Sequence, residues 1–464
     1  MSDPLRALTE IVPDGWLVGG TVRDRVLGRD TADYDVATAG SAGEVAQALG
    51  RAANGFAFEL SEAFGAWRIV AHDRTWQVDV LPLNGATIEE DLGRRDLTIN
   101  AIAAPLGSGG YVDPFGGLED LVARRLRAVS PVAFERDPLR TLRLCRLACE
   151  LSFRADLATQ QLARAAAPGL AGVAAERVFA ELRRVVCAPG VLAGLELMDA
   201  TGVTDVVLPE LAALRGVEQS RFHHLDVAEH TRSVLAEVIA LERDPERLAG
   251  EDAPELARFL AEPLANDLTR AQAMRFGALL HDIAKPQTRA VTPQGRVTFM
   301  GHDEAGARLG AAILGRLRAS ERLREHVAAL TRHHLRLGFL VHEMPLTRRA
   351  VYDYLRVTAP VAVDVTVLSV ADRLATRGDN SERAIAAHLQ LARQMLAEGL
   401  AWIAEPPRPP LRGDDLARAL GIKPGPMVGD LLAELEAASF SGEVATREEA
   451  IARARELIAA DGSG

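Results

Sequence analysis

The sequence predicts an α/β head followed by a mostly α-helical remainder, on three observations. Residues 1–125 alternate short apolar runs of strand character with helical stretches, the pattern of an α/β unit. Beyond residue 126 helix signals dominate, among them Asp137-Pro138 ahead of a basic run and an apolar segment ending at Pro286. Within the head, Leu17 to Val36 sets a strand, a glycine pair, a helix start and an Asp-x-Asp pair in close succession.

At 464 residues the chain is too long for one ordinary domain, and two to four units are expected. Hydrophobic residues make up 48%, which fits a soluble globular protein, and no apolar run approaches the ~20 residues a membrane span needs. Met1-Ser2-Asp3-Pro4 has neither the basic nor the apolar region of a signal peptide. The three cysteines, Cys145, Cys149 and Cys187, make neither a disulfide framework nor a zinc set, so the cytoplasm is the expected compartment. A net charge of −11 argues weakly against a nucleic-acid partner, but a local basic face matters more than the sum. Aromatic residues, 5% of the chain, leave little material for a stacking platform.

Trp16-Leu17-Val18 reads as a short buried strand. Gly19 and Gly20 let the backbone approach a ligand closely, with N–H groups free to face phosphate. Thr21 to Leu27 starts a helix, a natural anion site, and Arg23 in its first turn adds a charged fork. Asp33 and Asp35, one residue apart on a strand, place two carboxylates on one face. Such a pair calls for a cation, and Mg²⁺ bound through carboxylates and substrate phosphates is the usual answer. Together the pieces point to nucleotidyl transfer, with triphosphate on Gly19, Gly20 and Arg23 and metal on Asp33 and Asp35. Singly, a glycine pair is a turn and an Asp-x-Asp a solvated loop; the order of the four is the specific signal.

Further strands are expected at Phe56 to Leu60, Ala66 to Val70 and Trp76 to Val80, with His72-Asp73-Arg74 turning the last two into a hairpin. Asp79 falls on the third of these. In Arg94-Arg95-Asp96-Leu97-Thr98-Ile99-Asn100-Ala101, Arg95 can pair with a triphosphate and Asp96 can accept a ribose hydroxyl. Asp113-Pro114-Phe115-Gly116-Gly117 reads as a turn. Asp137 then caps a helix with Pro138 at its first position, and Arg140, Arg143 and Arg146 share one face of it.

The order of strand, glycine pair, helix and Asp-x-Asp closely resembles the first motif of the class II tRNA nucleotidyltransferases and bacterial poly(A) polymerases, in the DNA polymerase beta-like superfamily. Arg94 to Ala101 matches the family's second motif with Leu97 in place of phenylalanine, and Asp113 to Leu121 resembles the third. The resemblance implies ribose recognition by Asp96 and a nucleotide-binding place for Asn100. It suggests a third carboxylate near the metals at Asp79, where a polar residue on an open strand face is the other reading. Phe134 to Arg146 resembles the amino-acid template Glu-Asp-x-x-Arg, whose Asp and Arg read the Watson–Crick edge of CTP or ATP. Asp137 and Arg140 match it, Arg136 stands where the family has Glu, and Arg143 and Arg146 correspond to nucleotide-contacting arginines. Glu176 to Leu182 resembles the fifth motif, support for the neck.

From about residue 220 the signals change. His223, His224 and His230 precede an expected helix from Thr231 to Glu242, and residues 243–268 read as a loop with a short helix. His281-Asp282 ends an apolar helix stopped by Pro286, and His302, His333-His334 and Asp372 follow. The ordered set His230, His281-Asp282, Asp372 resembles the HD phosphohydrolase superfamily. That implies a divalent metal (Mg²⁺, Mn²⁺, Ni²⁺ or similar) on these four, and a second on His302 with His333 or His334. After a helix at 380–404, Pro406 to Pro410 reads as a stiff linker. The expected organisation is a nucleotidyltransferase head (1–125), a helical neck and body (126–215), an HD domain (216–380) and a helical tail (381–464).

The resemblance implies transfer of CMP, and for some members AMP, from nucleoside triphosphates to the 3′ end of tRNA, with Mg²⁺ at the transfer site. In CCA-adding members a flexible loop between the first and second motifs helps the template switch from CTP to ATP. Here Leu81 to Leu92 runs straight from a strand into Arg94, so that, against the family pattern, roughly a dozen residues are missing, a deletion that short-loop closure tolerates. CC addition is therefore expected, with full CCA addition or poly(A) synthesis as alternatives within the class and a non-catalytic RNA-binding protein as the alternative outside it. The expected partners are the tRNA 3′ end, CTP and ATP, with no membrane; phosphohydrolysis at the HD site stays open.

Overall fold

A computed structural model describes residues 4–107, 109–219, 225–376 and 381–461. His223 and His224 lie outside the described residues. The chain divides into two units, Met1–Pro209 and Glu210–Gly464.

The first unit is built on a six-stranded sheet. Its strands are β1 (Trp16–Val18), β2 (Asp33–Thr38), β3 (Gly55–Ser61), β4 (Ala66–Ala71), β5 (Gln77–Pro82) and β6 (Ala103–Pro105), in the order β3-β4-β5-β2-β1-β6. Only β2 and β5 run parallel, with Asp35 beside Asp79 and Asp33 beside Gln77. Strand alternation sorts the two faces. Val36, Ile69, Val78 and Val80 are fully buried on the side that packs the helix Ala42–Ala52, whose first turn Ser41 caps through the Glu44 N–H. The register Arg68–Asp79–Asp35 puts the charged residues on the opposite face.

The helix expected from Pro138 is present and is preceded by a short separate one. Ala133–Arg136 ends at Asp137, which is extended (φ −148°, ψ 98°), and Leu139–Leu151 follows with Pro138 at its N-cap. The proline ring forces the residue before it out of the helical region, so Asp137 breaks the chain of turns and its carboxylate accepts the Leu139 N–H at 3.3 Å. Cys145 and Cys149 are buried in this helix.

The turn at Asp113 is tightly built. Asp113 accepts the N–H groups of Gly117 and Leu118 at 2.7 and 2.9 Å. The fully buried Asp120 ties Thr98 of the Arg-Arg-Asp segment at 2.6 Å and Arg127 at 2.9 Å. A Cβ on Gly117 would meet the Thr98 carbonyl oxygen at 2.2 Å. Gly117→Ala is therefore expected to cost roughly 1–3 kcal/mol, read as a lowered thermal midpoint. Gly172→Ala, where a Cβ meets nothing within 4 Å, serves as the control and leaves the midpoint in place.

The second unit is helical. Val227–Arg243, Arg270–Leu280, His302–Arg316, Glu321–His333 and Ala362–Ala375 pack together. Three further helices, Gly413–Leu420, Pro426–Ser441 and Arg447–Asp461, close a separate small core on Leu416, Leu435, Ala450 and Ala454. His230 lies inside its helix rather than before it, because Asp226 caps four residues earlier by accepting the Glu229 N–H at 2.7 Å. Pro286 opens the short helix Lys285–Thr288, where a proline at the first turn lacks no needed donor. The 243–268 stretch holds two helices, Glu246–Ala249 and Ala253–Ala261, and the start of a small hairpin. Among the described residues no single helix is long and apolar enough to cross a membrane.

Candidate active sites

In the first unit a cavity of about 610 Å³ opens on the charged face of the sheet. β1 delivers Gly19 to its edge with φ +64°, and a Cβ there would meet the Arg95 guanidinium at 3.0 Å and the Asp35 carboxylate at 3.3 Å. Glycine is required on both counts. The helix Gly20–Val26 follows at once. Its Thr21 hydroxyl accepts the Asp35 N–H at 2.7 Å and donates to the Asp33 carbonyl at 3.2 Å. Arg23 is buried; it donates to Asn100 Oδ1 at 2.8 Å and forks onto Asp24 at 2.9 and 2.7 Å. Burial, then the neighbouring Asp79, push the Asp35 carboxyl up to about 6 against the pull of Arg95. Asp79 is gripped by the Arg68 fork at 2.7 Å on both oxygens.

Arg95 rests on Asp91 at 3.0 and 2.8 Å. Asp96 is buried and accepts from the Leu97 N–H (2.7 Å), Asn100 Nδ2 (3.0 Å) and Arg143 Nη1 (3.3 Å). Burial alone would raise its carboxyl, but Arg143 and the two hydrogen bonds hold it down at about 2. Arg143 and Arg146 both reach Glu181, at 3.2 and 2.9 Å. Arg140 lines the cavity, yet its guanidinium donates to the carbonyls of Arg94, Arg95 and Ala133 at 2.9–3.0 Å. Asp137 does not line the cavity and faces Arg177 at 3.3 Å. Arg68 did not stand out in the sequence, and its place opposite Asp79 was legible only from the hairpin register; Glu181 falls in the stretch that resembles the fifth motif, with no partner assigned to it.

In the second unit the structure brings together His230, His281, Asp282, His302, His334 and Asp372. Asp282 is the hub: its oxygens lie 3.1 Å from His281 Nε2, 3.3 Å from His302 Nε2, 3.7 Å from His230 Nε2 and 3.9 Å from His334 Nε2. His230 Nε2 meets Asp372 at 3.0 Å. Two groups of donors, each within 4.8 Å of one another, share Asp282: His230 with His281, and His302 with His334. His281, His302 and His334 each direct Nδ1 at the carbonyl three residues earlier, at 2.8, 2.7 and 2.6 Å. An Nδ1–H donated there leaves the Nε2 lone pair aimed into the cluster, the arrangement of metal-bound histidines. The buried Nε2 atoms of His281 and His302 make no well-directed hydrogen bond, and burial pushes His334 down to about 4, in its neutral, ligating form. Nitrogen and carboxylate donors so left fit a divalent transition metal.

Of the two alternatives the sequence left, His333 or His334, it is His334 that joins His302 and Asp282. The His333 ring accepts from Arg336 Nε at 2.9 Å and turns away from the cluster, because the helix that ends at His333 sends only His334 inward. Sequence reasoning missed Lys285, 2.6 Å from Asp282, and Arg373, His342 and His388, which line the adjoining cavity of about 650 Å³. Lys285 was findable as the third residue after Asp282 on a tightening turn; His388, 19 residues from its partner Ser369, carries no local signal.

The two sites define a nucleotidyltransferase head joined to an HD domain. Residues 15–127 match the poly A polymerase head domain, 152–214 the probable RNA and SrmB-binding site of polymerase A, and 227–377 the HD domain. Over 94% of both chains the protein is 36% identical to the A-adding tRNA nucleotidyltransferase of Deinococcus radiodurans. It is 37% identical to the CC-adding tRNA nucleotidyltransferase of Thermus thermophilus, over 94% of this chain and 92% of that one. The chain belongs to the tRNA nucleotidyltransferase family. Its fold is that of a CCA-adding enzyme solved in an apo form (TM-score 0.67, 20% identity, 99% and 95% of the two chains). It is likewise that of the Thermotoga maritima CCA-adding enzyme complexed with tRNA (TM-score 0.64, 19% identity, 98% and 94%).

Proposed function

We propose that the protein adds two cytidylates to the 3′ end of tRNA and stops there. The observation that carries the transfer reading is the convergence of Gly19, Asp35, Arg95 and Asp96 on one cavity beside the carboxylate face of the sheet. Gly19, Gly20, Arg23 and Arg95 orient the triphosphate. Asp96 stays ionised, and its three donors leave one acceptor position for a ribose hydroxyl. Asn100, Arg143 and Arg146 complete the nucleotide side. Asp33 and Asp35 would hold Mg²⁺, which when bound would activate the attacking hydroxyl and offset charge on the leaving pyrophosphate. Base choice falls to Asp137 and Arg140, whose present partners, Arg177 and the Arg94 and Arg95 carbonyls, compete with a base for the same groups.

The stop after two additions is supported by the segment between β5 and the second motif. The Leu83 N–H bonds the Thr38 carbonyl at 2.9 Å, Asn84 the Asp91 carboxylate at 3.0 Å and Ala86 that of Glu90 at 2.9 Å; the helix Ile88–Leu92 follows. These bonds hold a short connection in place, which supports the reading that it does not act as a lever swinging the template from C to A. With tRNA ending at the discriminator base and CTP and ATP supplied together, the product is expected to end in CC. Efficient terminal A would replace this reading by full CCA addition, A added only to a CC end by A-addition, and a long A tail by poly(A) synthesis.

For the second unit the reading is metal-dependent phosphoester hydrolysis. It rests on Lys285 and Arg373 lining the cavity beside the Asp282 cluster, where cations suit a phosphate. The cytoplasm remains the proposed compartment.

A further inference from the structure

We propose that Phe56 and Phe58 form a stacking platform for the bases at the 3′ end of the acceptor RNA, an inference that rests on the nucleotidyl-transfer reading. On β3, the edge strand, Phe56 and Phe58 are 48% and 39% exposed, and their rings stack at 5.8 Å between centroids and 20° between planes. Two large apolar rings this open contribute little to a core. Their place is set by register. Phe58 pairs with Arg68, Arg68 with Asp79 and Asp79 with Asp35; Phe56 pairs with Val70, Val70 with Gln77 and Gln77 with Asp33. Directly paired residues share a face. The ring pair therefore lies on the same surface as the three carboxylates, three strands from Asp35, about 14 Å at the usual strand spacing.

The direction of attack says what lies there. In an in-line displacement the nucleophile stands opposite the leaving group. The triphosphate side of Asp35 is taken by Gly19, Arg95 and Asp96. The RNA hydroxyl must come from the other side, across β5, β4 and β3. Arg68, next to Asp79, offers a cation to the phosphate between. An acceptor whose last base changes with each addition needs a support that ignores base identity, and aromatic stacking is tolerant in that way.

The test compares the Phe56→Ala/Phe58→Ala double variant, the corresponding double leucine variant and Phe58→Trp, each checked for folding by circular dichroism. The probes are a tRNA transcript ending at the discriminator base and CTP alone. In the alanine variant KM for RNA is expected to rise about fivefold to hundredfold, with CTP affinity by equilibrium dialysis unchanged. The leucine variant stays impaired and Phe58→Trp keeps the wild-type KM. An alanine variant whose RNA KM stays near wild type overturns the platform, as does a leucine variant that performs normally, since apolar area would then suffice. A wild-type dimer that the alanine variant loses, with RNA KM unmoved, overturns it in favour of a self-association edge. Wild-type protein that incorporates no nucleotide overturns the functional reading itself; incorporation with an unaffected alanine variant sinks the platform alone.

Discussion

Asp35→Asn is expected to remove nucleotide addition by about a thousandfold or more while the Asp282 cluster keeps its metal. The exchange preserves shape, and the Asp35 backbone remains held by Thr21, so the loss reports charge. The same carboxyl gives a pH signature. With no metal bound it titrates near 6, raised by burial and Asp79. Below that value a proton competes with Mg²⁺, so the apparent Mg²⁺ affinity falls about tenfold per unit; above it the affinity is level. Labelled CTP incorporation at a series of Mg²⁺ concentrations and pH values reads both. Activity near wild type in a folded Asp35→Asn protein would remove Asp35 from the chemistry.

Asp282→Asn is expected to strip the second unit of bound metal. One carboxylate faces four imidazoles and Lys285, so its charge serves both donor groups. His334→Ala, in contrast, leaves the group of His230, His281 and Asp282 complete, and metal content is expected to fall by half rather than to background. Elemental analysis of the purified variants separates the two outcomes. Hydrolysis of a 2′,3′-cyclic nucleotide, if the wild type performs it, should vanish with chelator and in Asp282→Asn, while nucleotide addition, itself dependent on Mg²⁺, persists in Asp282→Asn assayed with Mg²⁺ present. A full metal complement in Asp282→Asn would place the ion elsewhere.

The head was legible because its signals are contiguous. A strand, Gly19-Gly20, a helix start and Asp33-Tyr34-Asp35 are local patterns, and the fold they dictate places them at one cavity edge. The His281-Asp282 pair was legible for the same reason. What stayed hidden depends on long-range packing. Glu181 falls in the stretch that resembles the fifth motif, yet nothing local says that it will hold Arg143 and Arg146 from 38 and 35 residues away. Whether His333 or His334 turns inward is decided by where a helix ends, a matter of one residue. Composition is silent on placement: a count of aromatics is an average, whereas strand register gathers Phe56 and Phe58 on one surface. Asp137 and Arg140 were legible as a local Asp-x-x-Arg pattern, but their partners here, Arg177 and the Arg94 and Arg95 carbonyls, lie far off in the chain.

Thr21 joins the phosphate-facing helix to the acid-bearing strand through one hydroxyl that touches the backbone of both Asp33 and Asp35. The same helix reaches further: Arg23 donates to Asn100, Asn100 to Asp96, and Arg143 from the helix Leu139–Leu151 to the other Asp96 oxygen. Phosphate side, acid strand and arginine helix are thus one linked frame, and a substitution at Asn100 should be felt at both ends of it.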